Sequence, residues 1–323
     1  MEGLMNHKKQ NIQKKIVVIV IMVVVLIQLL YTFIVWTKVN TVEENINTRI
    51  TNLDTRLRCS ENMKYVHFSL DDFILSFKDI TENSEKYDSI FDNKVFGHMK
   101  SLHEEYGIVF SCYCFYEMEN FTLRDVTEKF AEEFSKNADW LKFGFHGLNG
   151  DTKYDQSKVD DAQNDYDLVI NQLLRITGTD TCIDRVPRIH YYAGSEESLA
   201  AMGNTQDGLK GALTADDDRQ SYYLDQNCED ILDCQDTYYD SNHHLYFYTT
   251  DFRLEKANNV SEALEIFQSL RDTDQDNILI IFTHEWQLTS KKFGWKMNKI
   301  LDIIAEQSIV SGYVPEYPMN IVH

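Results

Sequence analysis

From about Asn62 onward the chain alternates between two hydrophobic rhythms. Short apolar or alternating runs at 64–70, 107–115, 141–146, 183–191, 209–214, 244–250 and 277–283 have strand length and strand period. Between most of them, at 89–106, 125–139, 159–176, 195–202 and 261–270, apolar residues recur at helical spacing, and a last helix covers 294–307. Regular β-then-α succession implies right-handed crossovers and a parallel sheet. Seven such units in ~260 residues predict an α/β domain built as a distorted (β/α)7 barrel. An open doubly wound sheet is the alternative, but the chain has no GxGxxG or phosphate-cradling loop.

The first sixty residues follow another pattern. Residues 16–36 are 21 consecutive positions without a formal charge, rich in Val, Ile and Leu. At 1.5 Å per residue this run crosses a hydrocarbon core of ~30 Å. A cleavable signal has a shorter apolar region, ~7–15 residues, and the following Thr37-Lys38-Val39-Asn40 offers no small-residue cleavage site. The run is therefore expected to be a retained anchor in the lipid bilayer. Lys8, Lys9, Lys14 and Lys15 precede it, while Glu43 and Glu44 follow Lys38. The positive-inside rule then puts 1–15 in the cytoplasm and the rest of a single-pass membrane protein outside. Residues 37–61 read as a helical stalk, with Val39, Ile46 and Leu53 seven apart and Ile50 and Leu57 repeating that interval. Such a stalk is a simple spacer or a weak dimerising coil. The barrel domain is expected over 62–323.

Charge narrows the partners. The whole chain carries −21 and the 1–15 segment +3, leaving −24 on the external part. That acidity excludes a nucleic-acid partner and suits a neutral or cationic glycan. The six Cys form no zinc spacing. Cys112 and Cys114, two apart in a strand, share a face and are not expected to bond; Cys228 and Cys234 are far enough apart to pair. The sequons at Asn120 and Asn259 carry no functional assignment.

The unusual residues gather where predicted strands end, which in a barrel is where chemistry sits. Asp71 and Asp72 terminate the first strand; adjacent carboxylates disfavour each other's ionisation unless a metal or shared proton relieves them, although an acidic turn is the plainer reading. His146 ends Leu141-Lys142-Phe143-Gly144-Phe145-His146, where Gly144 on the same face leaves room below it. An imidazole beside two carboxylates suits Zn and related divalent ions. Arg188 and His190 share a face of the fourth strand, and the run Asp216-Asp217-Asp218 is the expected acidic partner of Arg188. His284 leaves the most apolar strand beside Trp286, in a setting dry enough to tune its protonation, with Glu285 either orienting it or facing solvent.

Taken in order, these segments resemble the motifs of polysaccharide deacetylases, the NodB-homology carbohydrate esterases. Ser69-Leu70-Asp71-Asp72-Phe73 is similar to their Thr-Phe-Asp-Asp-Gly, and Phe143-Gly144-Phe145-His146-Gly147 to their His-containing second motif. Arg188-Ile189-His190-Tyr191 resembles their Arg-x-Pro-Tyr, and Phe282-Thr283-His284 their Leu-x-His, over about 62–315. The resemblance implies a metal-dependent N-deacetylase acting on a cell-surface polysaccharide. Asp72 and His146 would hold a divalent metal, Zn foremost. Asp71 would be the general base, Arg188 its orienting partner and His284 the general acid, with Tyr191 and Trp286 against the sugar.

The chain departs from the pattern at three places. The family's second imidazole, four residues after the first, is Gly150 here; His190, standing where the family has Pro, is the expected replacement ligand, with Asp151 a weaker candidate. Phe73 replaces a Gly and is expected to narrow the groove. Two other functions remain on the same barrel: a metal-free glycosidase pairing Asp71 or Asp72 with Glu285, and a non-catalytic glycan-binding or scaffold protein that has lost a ligand at position 150.

Overall fold

The computed structural model describes residues 21–38, 65–235, 237–273 and 278–314. The expected cytoplasmic tail, the first residues of the anchor, the stalk beyond Lys38 and its dimer seam lie outside the described residues. The chain divides into Met1–Leu53 and Asp54–His323. In the first unit, α1 (Ile21–Lys38) is long and apolar enough to cross a membrane by length and composition. Its threonine hydroxyls are satisfied within the helix: Thr32 Oγ1 donates to Gln28 O at 3.0 Å and Thr37 Oγ1 to Ile34 O at 2.9 Å. That is the arrangement a hydrocarbon setting demands.

The second unit runs β1 (Tyr65–Phe73), α2 (Leu75–Glu82), α3 (Lys94–Tyr106), β2 (Phe110–Phe115), the small hairpin β3 (Glu117–Met118) and β4 (Phe121–Thr122), then α4 (Ala131–Lys136). It continues with β5 (Leu141–Gly147), α5 (Val159–Thr177), β6 (Ile183–Asp184), α6 (Glu196–Gly203), β7 (Gly211–Leu213), α7 (Gln226–Gln235) and β8 (Thr237–Asp240). Then come β9 (Leu245–Tyr248), β10 (Phe252–Arg253), α8 (Val260–Thr273), β11 (Ile278–His284), α9 (Lys291–Glu306) and β12 (Val310–Ser311).

Parallel pairing runs β10-β11-β1-β2-β5-β6, and a second sheet is ordered β7-β9-β8. Backbone bonds join the two: Lys210 N to Arg185 O at 2.8 Å and Leu213 N to Pro187 O at 3.0 Å carry β6 onto β7, and β9 continues within a few residues into β10. The result is the expected seven-staved α/β barrel, distorted where the β6 and β10 staves are short.

Period-two alternation sorts the side chains. Phe143 faces outward and packs with Phe73, Phe77, Phe96 and Phe134 in an aromatic layer whose ring centroids lie 5.1–6.3 Å apart. Phe73 is fully buried there, so it does not narrow the groove as expected. Inward, Tyr113, Val186, Leu213, Tyr246, Tyr248 and Ile280 fill the barrel. The expected space above Gly144 is used: a Cβ there would meet Tyr113 at 3.0 Å and the Asp184 carbonyl at 2.9 Å.

One expected strand ends early for a local reason, and one helix that was not expected is capped from a distance. The strand expected over 183–191 stops at Asp184, whose carboxylate takes the Val186 N–H at 2.8 Å, and Pro187 has no N–H to offer a ladder. The chain then winds into a 3-10 turn at His190–Tyr192, with Tyr191 and Tyr192 left-handed at φ 59° and 57°. Helix α2 has no capping residue of its own; its first N–H groups go to Glu285, far along the chain. Among the described residues Cys112, Cys114, Cys182 and Cys228 are free thiols, so the possible bridge from Cys228 is not made.

Candidate active site

The site forms at the C-terminal ends of β1, β5 and β11 and in the segments following β6 and β10. Adjacent strand residues normally point to opposite faces. Asp72 escapes that rule by adopting a left-handed backbone (φ 55°), and the β1–β2 register slips between Leu70 and Phe73. Asp is among the few side chains that tolerate this conformation. The bulge brings both carboxylates to the barrel mouth.

Asp71, buried, pairs with Arg188 Nη1 at 2.9 Å. Arg188 is itself buried, with Nη1 on Ser69 Oγ at 3.0 Å, Nη2 on Thr250 Oγ1 at 3.1 Å and its guanidinium 3.9 Å over the Phe282 ring. The acidic partner of Arg188 is thus Asp71. The expected run behaves otherwise: Asp216 pairs with Lys256 at 2.8 Å and Asp217 with Arg219 at 2.6 Å.

Asp72 Oδ1 lies 3.0 Å from His146 Nε2 and 3.6 Å from His190 Nδ1, and those two nitrogens are 3.1 Å apart. His146 Nδ1 faces the Arg188 carbonyl at 2.6 Å, which makes it an N–H; Nε2 then donates to Asp72 when the ring is protonated and offers its lone pair to an ion when the ring is neutral. Burial works to raise the Asp72 carboxyl, but His146, then His284 and His190, hold it below its ordinary value. Burial, then the charge of His146, depresses His190 to about 4 and keeps it neutral. Burial also opposes protonation of His146, yet its hydrogen bond to Asp72 wins and its value is raised.

A divalent ion fits this set. Two imidazole nitrogens and a carboxylate oxygen lie within 4.8 Å of one another. Ligand atoms around a tetrahedral Zn with ~2.0–2.1 Å bonds stand about 3.3 Å apart, close to the separations here. Neutral imidazoles whose other nitrogen is held by a carbonyl are the usual donors. His190 thus stands with Asp72 and His146. Asp151 is exposed and outside this cluster.

His284 faces the trio from β11, its Nε2 3.8 Å from Asp72 Oδ2. Its Nδ1 hydrogen-bonds Glu255, which also accepts from Thr283 Oγ1 at 2.6 Å and Arg253 Nε at 2.8 Å. Burial opposes ionisation of Glu255, but His284, Thr283 and Arg253 bring it down to about 2. Trp286 stacks on His284 with centroids 4.6 Å apart, and Tyr191 lies 4.1 Å from His190; each is 47% exposed. Glu285 neither orients His284 nor faces solvent. It is 1% exposed and accepts from Ile74 N and Leu75 N at 2.9 Å each, and from Ser76 N.

Sequence reasoning missed Glu255, Arg253, Ser69 and Thr250. A signal for two of them existed: Thr250 ends and Arg253 follows the expected strand 244–250, and barrel strand ends line the mouth.

No family model matches the sequence, and no curated protein matches it. Several solved structures follow the chain path. A family 4 acetyl xylan esterase from Clostridium thermocellum, solved with a cobalt ion, has a TM-score of 0.44 at 10% identity, covering 77% of this chain and 87% of that one. A polysaccharide deacetylase-type protein from Mycobacterium smegmatis gives 0.44, 10%, 77% and 87%. Another, described as involved in O-antigen biosynthesis in Bordetella bronchiseptica, gives 0.35, 10%, 68% and 71%. Their descriptions are those of the family that the strand-end motifs resemble. Similarity at this level assigns no activity, and the chemistry of this chain stands on its own residues.

Proposed function

We propose that this chain is a membrane-anchored hydrolase that removes N-acetyl groups from a cell-surface polysaccharide with the help of a divalent metal, most simply Zn. The observation that carries the reading is the buried Asp71–Arg188 pair set beside the Asp72, His146 and His190 donors, with His284 across from them. When bound there, a divalent ion supplies Lewis acidity toward the acetyl carbonyl and its attacking water. Asp71, kept oriented by Arg188, takes the proton from that water. His284 gives a proton from Nε2 to the departing sugar amine, while Glu255 accepts the Nδ1–H and fixes the ring. Tyr191 and Trp286 offer exposed aromatic faces to sugar rings on either side. Free acetate leaves, and a glucosamine-type residue remains in the polysaccharide.

The glycosidase alternative loses its second carboxylate, because Glu285 is committed to the start of α2. The approach of His190 to Asp72 and His146 favours catalysis over binding alone. Residues 16–36 would anchor the protein, 37–61 would space it from the bilayer, and 62–323 would act outside, with 1–15 in the cytoplasm.

Acetate release by the detergent-solubilised chain from N-acetylated glycans tests the proposal. Release should be abolished by chelation and by Asp71→Asn or His146→Ala, with folding intact. Purified chain that holds no divalent ion by elemental analysis would overturn it.

A further inference from the structure

Positive charge is scarce in this chain, and one stretch gathers it. Residues 286–301 hold Lys291, Lys292, Lys296 and Lys299 and no Asp or Glu, in a chain whose total is −21. The stretch starts at the candidate site. Trp286 stacks on His284 at the barrel mouth, and two turns, Leu288 N to Glu285 O at 3.2 Å and Ser290 N to Gln287 O at 2.9 Å, carry the chain from it into α9. Lys296, buried, donates to Leu254 O at 3.2 Å and Ala257 O at 2.7 Å, which holds α9 against the turn that carries Glu255.

Lys296 is engaged by those carbonyls, and Lys299 by Asp302 at 3.2 Å. Lys291 and Lys292 are exposed and have no hydrogen-bond or ion-pair partner among the described residues. The helix does not explain them, because lysines in a first turn oppose its dipole. Trp295, 55% exposed, follows Lys291 and Lys292 at the four- and three-residue spacing of one helix face. An exposed indole beside two free ammonium groups, continuous with the Trp286 platform, suits sugar rings that carry negative charge.

A neutral glycan has no use for the two lysines. At physiological salt, charges more than ~8 Å apart are largely screened, so a polymer answers to the patch it touches rather than to the acids elsewhere on the domain. An anionic lipid surface would also meet lysines and an indole, but it leaves the continuity with the mouth without a role.

We infer that Lys291, Lys292 and Trp295 form an outer subsite for an acidic polysaccharide, one bearing carboxylate or phosphate, as it runs from the mouth past Trp286. This rests on the glycan reading above and narrows it. An N-acetylated sugar occupies the mouth while neighbouring charged units lie along α9.

Equilibrium binding to the detergent-solubilised full chain in EDTA tests it without turnover. The probes are oligomers of N-acetylglucosamine alone, of N-acetylglucosamine alternating with glucuronate, and of N-acetylglucosamine joined through phosphodiesters. At least one acidic probe should bind about 10-fold more tightly than the neutral one of equal length, and the tighter of the two identifies carboxylate or phosphate. Lys291→Gln with Lys292→Gln should remove most of that preference and leave neutral affinity within about two-fold. Trp295→Ala should weaken long acidic oligomers roughly 5-fold and leave disaccharides unchanged. Equal affinity for all three probes, or a preference that survives the lysine pair, overturns the inference. Protection of Lys291 and Lys292 from amine acylation by anionic lipid in nanodiscs, but not by the acidic probes, also overturns it and gives the surface to the bilayer. Metal-loaded chain that binds the acidic probe without releasing acetate overturns the deacetylase reading and leaves this subsite standing. Acetate release with no charge preference overturns the subsite alone.

Discussion

At Asp72 a single left-handed residue turns a strand end into a site, because it presents two neighbouring carboxylates on one side. A residue that accepts φ 55° is required as well as a ligand. Asp72→Asn keeps the backbone preference and removes the charge, so metal affinity should fall at least tenfold while unfolding by urea changes little. Asp72→Val should lose stability too, by about 1–2 kcal/mol, since a β-branched side chain resists this conformation. Across the mouth, Glu255→Gln should lower kcat about 10- to 100-fold with little change in KM, because His284, the proposed general acid, is misoriented while the proposed sugar platforms Tyr191 and Trp286 remain. Asp71, Asp72, His146 and His284 were legible because each closes a recognisable apolar run, and Arg188 and His190 because they follow one, although β6 ends before them at Asp184. Glu255 was not, since it lies in a Leu254–Lys256 turn and meets His284 across 29 residues of sequence.

Elements were legible where their signals are local. Helix α3 starts at Asn93, which caps Val95 N and Phe96 N, and stops at Gly107 with φ 69°; both signals are in the sequence. Helix α2 carries no such signal because its cap is Glu285, 211 positions from Ile74. Glu285→Ala should therefore destabilise the barrel by about 3 kcal/mol in urea unfolding, leaving three buried N–H groups without acceptors. Glu285→Gln, which keeps one oxygen, should lose less. The fourth strand was overread for a similar reason. Apolar composition continues to Tyr192, but a side-chain acceptor on Asp184 and a proline end the ladder early.

Over the whole molecule, seven parallel staves and their crossovers were legible from rhythm alone, while the polar filling of the barrel was not. His67, fully buried on β1, hydrogen-bonds Gly312 O at 3.1 Å and Tyr113 OH at 3.3 Å, and burial depresses it to about 4. Its folded value lies below the ordinary 6.5, so the unfolded chain binds that proton first. Stability should fall as pH drops from about 6.5 toward 4, by up to about 3 kcal/mol from this group, and the slope should be shallower in His67→Gln. Urea midpoints across that range measure the difference. The pairing of β1 with β11 has a last consequence, in time. Tyr65 pairs with Ile278, so the barrel's first strand waits for a partner made more than 200 residues later. At 5–20 residues per second that is roughly 10–40 s of synthesis. Through that interval β1 has one edge unpaired, and α2 waits uncapped for Glu285. The nascent barrel therefore stays open to mispairing at β1 until β11 and Glu285 have been made.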